Sequence, residues 1–215
     1  NETSNPMDNW SYSYQYIRVA NDFLVDITGA SVDEEVKKVT SAEVRFIRAM
    51  LYFDLLKRYG GVPLLTEPQD LGDDLEVPRN SLNECFQFII DEMNGIVDNL
   101  PVNAERGKIT KGAALSLKAR TLLYWASPLY NENNDISKWQ EAATAAKAVM
   151  DLGKYDLYPD LKQLWLDMSE SHNEVILEKQ YGMPDVSHGW DCAVKTLDLA
   201  NGDAGHCSPL QELVD

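Results

Sequence analysis

Helix punctuation restricts this chain more than any other feature, because three successive segments carry both a start and a stop signal. Ser81 and Glu84 form a capping box ahead of Phe86, Ile89, Met93, Ile96, Val97 and Leu100, and Pro101 terminates the run. The next helix begins near Thr110 and continues through Ala113, Ala114, Leu117, Leu122 and Trp125. It stops at Pro128, whose ring excludes the helical hydrogen bond. Ser137 and Gln140 repeat the capping pattern, and that helix runs along an alanine-rich face to Leu152 before Gly153. Its Ala142, Ala143, Ala145, Ala146 and Ala148 let a neighbouring helix approach closely. The starts at Ser81, Thr110 and Ser137 recur at similar intervals, shorter than the roughly 34 residues of a tetratricopeptide repeat. The pattern reads as a degenerate array of stacked helix hairpins.

Two helices are predicted upstream. Trp10, Tyr14, Ile17, Phe23 and Ile27 fall mostly at three- and four-residue steps, the spacing of an amphipathic helix over Trp10–Ile27. A second runs from about Asp33 to Arg58; its stretch Ala49–Leu56 is apolar apart from Asp54 and is expected to be buried. Gly60 and Gly61 stop it and Pro63 prevents resumption, so Val62–Thr66 leaves as extended chain. From Tyr155 the pattern changes to a helical turn at Leu161–Leu166, a strand at Glu174–Gln180 and then loops rich in Gly, Pro and Asp. The expected fold is mainly α, a helical scaffold over about residues 10–166 with a loop-rich segment over 167–215, all within one region spanning 1–215.

Charge narrows the ligands. The formal net charge is −16 and the Lys and Arg residues are scattered, so nucleic acid and anionic lipid surfaces are repelled. Neutral sugars are not penalised by that field, since they bind through stacking and hydrogen bonds. No apolar run approaches the roughly 18 residues of a membrane span. The chain starts at Asn1 without a Met and stops at Leu213, Val214 and Asp215 inside an amphipathic run, so both ends are expected to be cut. Three cysteines do not make a disulfide framework: Cys85 reads as a small core residue, whereas Cys192 and Cys207 stay open between pairing and not.

The stretch AEVRFIRAMLYFDLLKRYGGVPLLTEP, Ala42 to Pro68, resembles the hallmark segment of the SusD/RagB family of outer-membrane nutrient-binding lipoproteins. Further similarity lies in Val77–Pro101, in Gly107–Asn131 and in the pattern from Trp139 to Pro159. The resemblance runs from about Trp10 to Tyr181 and lacks the family's C-terminal half. It implies a tetratricopeptide-like scaffold, capture of an oligosaccharide or polysaccharide at the cell surface, and delivery to a SusC-like TonB-dependent outer-membrane transporter. It also implies attachment through a lipidated N-terminal cysteine; no such residue precedes Trp10, so any membrane contact would be through an anchor outside this chain. The alternative is a helical-repeat scaffold that binds protein or peptide and no sugar.

Within the hallmark, Arg45 and Arg48 lie three apart among apolar residues and are expected to need carboxylate or carbonyl partners, a structural role. The double glycine serves backbone geometry, since a phosphate cradle would need the lysine and hydroxyl of a P-loop. Sugar capture needs flat aromatic surfaces with polar groups for the rim hydroxyls. Trp125, Trp139 and Trp165 fall at helical positions where packing is expected. Trp10, beside Asn9 and Tyr12 at the start of the first helix, and Trp190, in a loop after His188, are the candidate ligand-binding residues. No catalytic residue, metal ligand or cofactor is assigned. His188, Cys192, His206 and Cys207 match no zinc spacing, and Asp70, Asp73 and Asp74 lack the alternation of a calcium loop. A glycoside hydrolase would need a carboxylate pair that the sequence does not single out.

Overall fold

A computed structural model describes residues 8–181 apart from 71, 74–75 and 167–172. The helices are α1 (Trp10–Gly29), α2 (Glu34–Tyr59), α3 (Leu82–Ile96), α4 (Lys111–Ala126), α5 (Ile136–Met150) and the short α6 (Leu161–Leu166). The chain divides into two compact units, Asn1–Leu177 and Glu178–Asp215; all the helices belong to the first. The mainly α, stacked-hairpin expectation holds.

From α1 to α4, each helix turns back on the one before it. Asn9 meets Tyr59, Asn21 meets Arg48 and Lys37 meets Thr28, which runs α1 and α2 antiparallel. Arg45 meets Glu92 and Val62 meets Cys85, so α3 returns along α2. Lys111 pairs with Asp98 and Trp125 bonds Asn83, so α4 returns along α3. The core is the α2–α3–α4 seam, where Tyr52, Leu55, Leu56, Phe86, Ile89, Met93 and Ile96 are fully buried. Burying each such side chain contributes about 1.5–3 kcal/mol before the entropy of ordering it.

Local chemistry sets the ends. The Ser81–Glu84 capping box is present in both directions, with Ser81 N–H donating to Glu84 at 2.7 Å and Glu84 N–H donating to Ser81 Oγ at 3.3 Å. Thr110 caps α4 by accepting from Ala113 N–H. Three expectations shift. The α3 helix ends at Ile96 and passes into a turn, so Leu100, although buried, is outside it. The cap of α5 is Asp135, which accepts from Ser137 N–H and Oγ; Ser137 is already inside the helix. The predicted strand at Glu174–Gln180 does not form. At its start, Asn173 C=O accepts from Asp156 N–H and the Glu174 carboxylate accepts from Tyr158 N–H, and no second strand is present among the described residues to complete a ladder.

The double glycine launches a strap, residues 60–67, that four side chains of α1 and α2 help to fasten to the stack. Gly60 closes α2 at φ +72, a conformation that favours glycine. Any side chain on Gly61 would collide with the Asn80 carbonyl oxygen. Tyr14 donates to Pro63 C=O at 2.7 Å, and the Tyr52 hydroxyl accepts from Leu65 N–H and donates to Leu65 C=O. Asn21 donates to the carbonyls of Leu65 and Glu67, while Arg48 donates to Thr66 C=O. The two hallmark arginines share one carboxylate, Glu92, at 2.8 Å from Arg45 and 2.9 Å from Arg48. The structural reading of Arg45, Arg48 and the double glycine therefore stands. Cys85 is buried beneath the strap, its Sγ beside Val62, as a core residue.

Candidate ligand-binding surface

The tyrosines of α1 divide between two faces because positions 12 and 16 are one turn apart, whereas 14 lies across the helix. Tyr14 faces inward with Ile17. Tyr12 and Tyr16 face outward, 57% and 46% exposed, with ring centroids 4.6 Å apart and planes at 52°. Val19 continues the same face, and exposed Gln15 stands between the two rings in sequence. The side chains of Tyr12, Gln15 and Tyr16 form no hydrogen bond to other described residues, so two rings and an amide stand uncommitted together. Aromatic rings beside an amide are the groups that sugar binding in general draws on, the rings for apolar faces and the amide for hydroxyls.

Asn9 and Trp10 are placed differently from Tyr12. The Asn9 amide donates to Asp54 at 2.8 Å, and Asn9 N–H donates to the Tyr59 hydroxyl at 2.9 Å. Tyr59 in turn donates to Asp8 at 2.6 Å, and this bond, with a second from Trp10 N–H, holds the Asp8 carboxyl below its ordinary range. Trp10, expected as an exposed ring, is half-buried: its indole meets Tyr59 edge-on at 5.2 Å, Tyr14 at 5.0 Å and the Arg79 guanidinium at 5.1 Å. An aromatic at the first position of α1 packs over the C-terminal end of α2, leaving the next outward position to Tyr12. Trp190 lies outside the described residues, as do Asp74, His188, Cys192, His206 and Cys207.

The other tryptophans separate as well. Trp125 is packed as expected, stacked on Phe86 at 5.4 Å and 9°, with Lys138 Nζ 4.8 Å from its ring centre. Trp139 is 37% exposed, a departure from the packing expectation, because only Ala142 and Ala145 of α5 are buried and Trp139 stands a quarter turn to their side. The Trp165 side chain is outside what is described. Sequence reasoning missed Gln15 and Tyr16; the helical step from Tyr12 was the signal that would have found them. Among the described residues no three His, Cys, Asp or Glu side chains converge as metal ligands, and no helix is long and apolar enough to cross a membrane.

Stacked antiparallel helix hairpins carrying an exposed aromatic pair define a helical scaffold of the tetratricopeptide-like kind. A family described as "Starch-binding associating with outer membrane" matches residues 1–123, and the chain belongs to this SusD-like family. It is 29% identical over 197 residues to the starch-binding protein SusD of Bacteroides thetaiotaomicron, covering 84% of this chain and 34% of that one. The fold is similar to the crystal structure of a SusD-like protein from Bacteroides fragilis, with TM-score 0.79, 31% identity, and coverage of 97% of this chain and 41% of that one. It is also similar to a laminarin-binding SusD-like protein, with TM-score 0.71, 27% identity, and coverage of 82% and 38%. The chain spans about a third of the length of the curated relatives it matches.

Proposed function

We propose that this chain belongs to a cell-surface protein that captures an oligosaccharide and hands it to a SusC-like TonB-dependent transporter. The protein is held at the outer membrane by a lipid anchor carried outside the described region. No bond in the glycan is made or broken; the work is binding and presentation. The carrying observation is the exposed, uncommitted pair Tyr12–Tyr16 with Gln15 beside it. Two rings at 52° offer adjacent stacking surfaces, and the net charge of −16 leaves neutral sugars unpenalised. Asn9 and Trp10 act at the same end of α1 by fixing the helix start to α2, and Trp190 is proposed as a further contact. Support also comes from relatives whose names state starch and laminarin as what they bind.

Calorimetric titration with malto-, laminari- and xylogluco-oligosaccharides tests this reading, with reducing ends assayed in the same samples. Saturable binding without new reducing ends is expected, weakened about tenfold by Tyr12→Ala, the scale of one lost stacking contact of about 1.4 kcal/mol. A folded chain that binds none of the panel, or that releases reducing ends, overturns it.

A further inference from the structure

A second recognition surface lies away from α1. Helices α3 and α5 each pack on α4 and not on each other, so α4 floors an open groove between them. The groove holds about 500 Å3, within the range of pockets that enclose a small ligand or a few peptide residues. Ile90, Leu122 and Ala145 form a small apolar floor. Lys118 comes from α4, Gln140 and Glu141 from α5, and none of these three side chains has a hydrogen bond or ion pair with another described residue. Gln87 of α3 donates one amide N–H to Asp91 at 2.9 Å, and its amide oxygen accepts from no other described residue.

The groove is unsuited to stacking a sugar. Its one aromatic residue, Trp125, has its ring engaged by both Phe86 and Lys138. What is on offer is an ammonium, a carboxylate and two side-chain amides around a narrow apolar floor. A polypeptide segment supplies the complement: main-chain N–H and C=O for the amides, a carboxylate for Lys118, a cation for Glu141 and one aliphatic side chain for the floor. We propose that the groove over α4 binds an extended peptide segment in which an acidic and a basic side chain flank an aliphatic one. This surface is independent of the glycan reading, since none of its lining residues belongs to α1.

The test is calorimetric titration of the chain with two acetylated, amidated hexapeptides, Glu-Ser-Leu-Leu-Ser-Lys and its reverse order, and with an oligoserine control. Saturable binding of one order over the other is expected. Lys118→Glu or Glu141→Lys should weaken it up to about 5-fold, the range of partly exposed ion pairs. The double reversal Lys118→Glu/Glu141→Lys should then prefer the opposite order, and Tyr12→Ala should leave peptide affinity unchanged. Circular dichroism verifies that each variant is folded. No saturable binding of either peptide, equal affinity across the charge variants, or displacement of the peptide by maltoheptaose overturns the proposal.

Discussion

Arg48 Nη2 lies 2.9 Å from Glu92 Oε2, and both side chains are almost wholly withdrawn from solvent. Arg48 also reaches Asn21 of α1 at 2.7 Å, while Arg45 takes the other oxygen of Glu92. One carboxylate thus offsets charge on two guanidinium groups and joins α2 to α3, and Arg48 carries the cluster on to Asn21 of α1. Replacing Glu92 by Gln removes that offset and leaves a buried guanidinium without a counter-charge, expected to cost about 3–5 kcal/mol. Urea unfolding of Glu92→Gln against the parent checks this, and a change below about 1 kcal/mol would contradict the buried pairing.

The Asn80 carbonyl oxygen occupies the place of a side chain at Gly61. Gly61→Ala must push backbone against backbone and is expected to destabilise by about 1–3 kcal/mol. Gly29→Ala, which meets nothing within 4 Å, is the matched control and should be close to neutral or slightly stabilising. Thermal unfolding of the two variants separates close approach from a generic glycine effect.

Tyr14 and Tyr52 carry phenol pKa values raised by burial, above the ordinary value near 10. The folded state therefore resists their ionisation and the unfolded state does not, so their contribution is complete below about pH 10 and falls as pH rises beyond it. The urea midpoint is expected to hold up to about pH 10 and to drop between about pH 10 and pH 12, and Tyr14→Phe should flatten that drop. A pH-independent midpoint across this interval would contradict the two buried phenols.

Trp10 and Tyr12, two residues apart, should fail in opposite ways. Trp10→Ala strips a half-buried ring from the contact with Tyr59 and Arg79 and is expected to lower stability by about 2–4 kcal/mol. Tyr12→Ala removes an exposed ring and should leave the melting temperature nearly unchanged while reducing glycan affinity. Measuring both variants by thermal unfolding and calorimetry distinguishes scaffold from surface.

The start of α5 shows where local sequence reading stops. Asp135 and Ser137 are both good caps, and the Ser137–Gln140 spacing favours the second. The choice is made by Asn131, which is buried; its Oδ1 accepts from Asp135 N–H at 2.9 Å, and its amide donates to the carbonyls of Ala126 and Asp135. That anchor depends on the end of α4, so it is tertiary information. The Ser81–Glu84 box was legible because its two bonds close within one turn. Arg45 and Arg48 announced that they needed partners, but Glu92 is more than 40 residues away and nothing local marks it among 35 acidic residues. On the candidate surface, the inward face of α1 followed from its apolar period. The outward Tyr12–Gln15–Tyr16 face follows from the same period read on its opposite side.

The strap at residues 60–67 has a consequence for how this stack is assembled. In a repeat array each hairpin can close by itself and propagate to its neighbour. Here Tyr14 and Asn21 of α1 bond a segment that is also held by Arg48 and Tyr52 of α2 and whose Val62 is buried against Cys85 of α3. None of these three helices can settle without the other two, so they should open as one cooperative unit, with amide protons from Ile17, Leu55 and Ile89 exchanging at a common free energy.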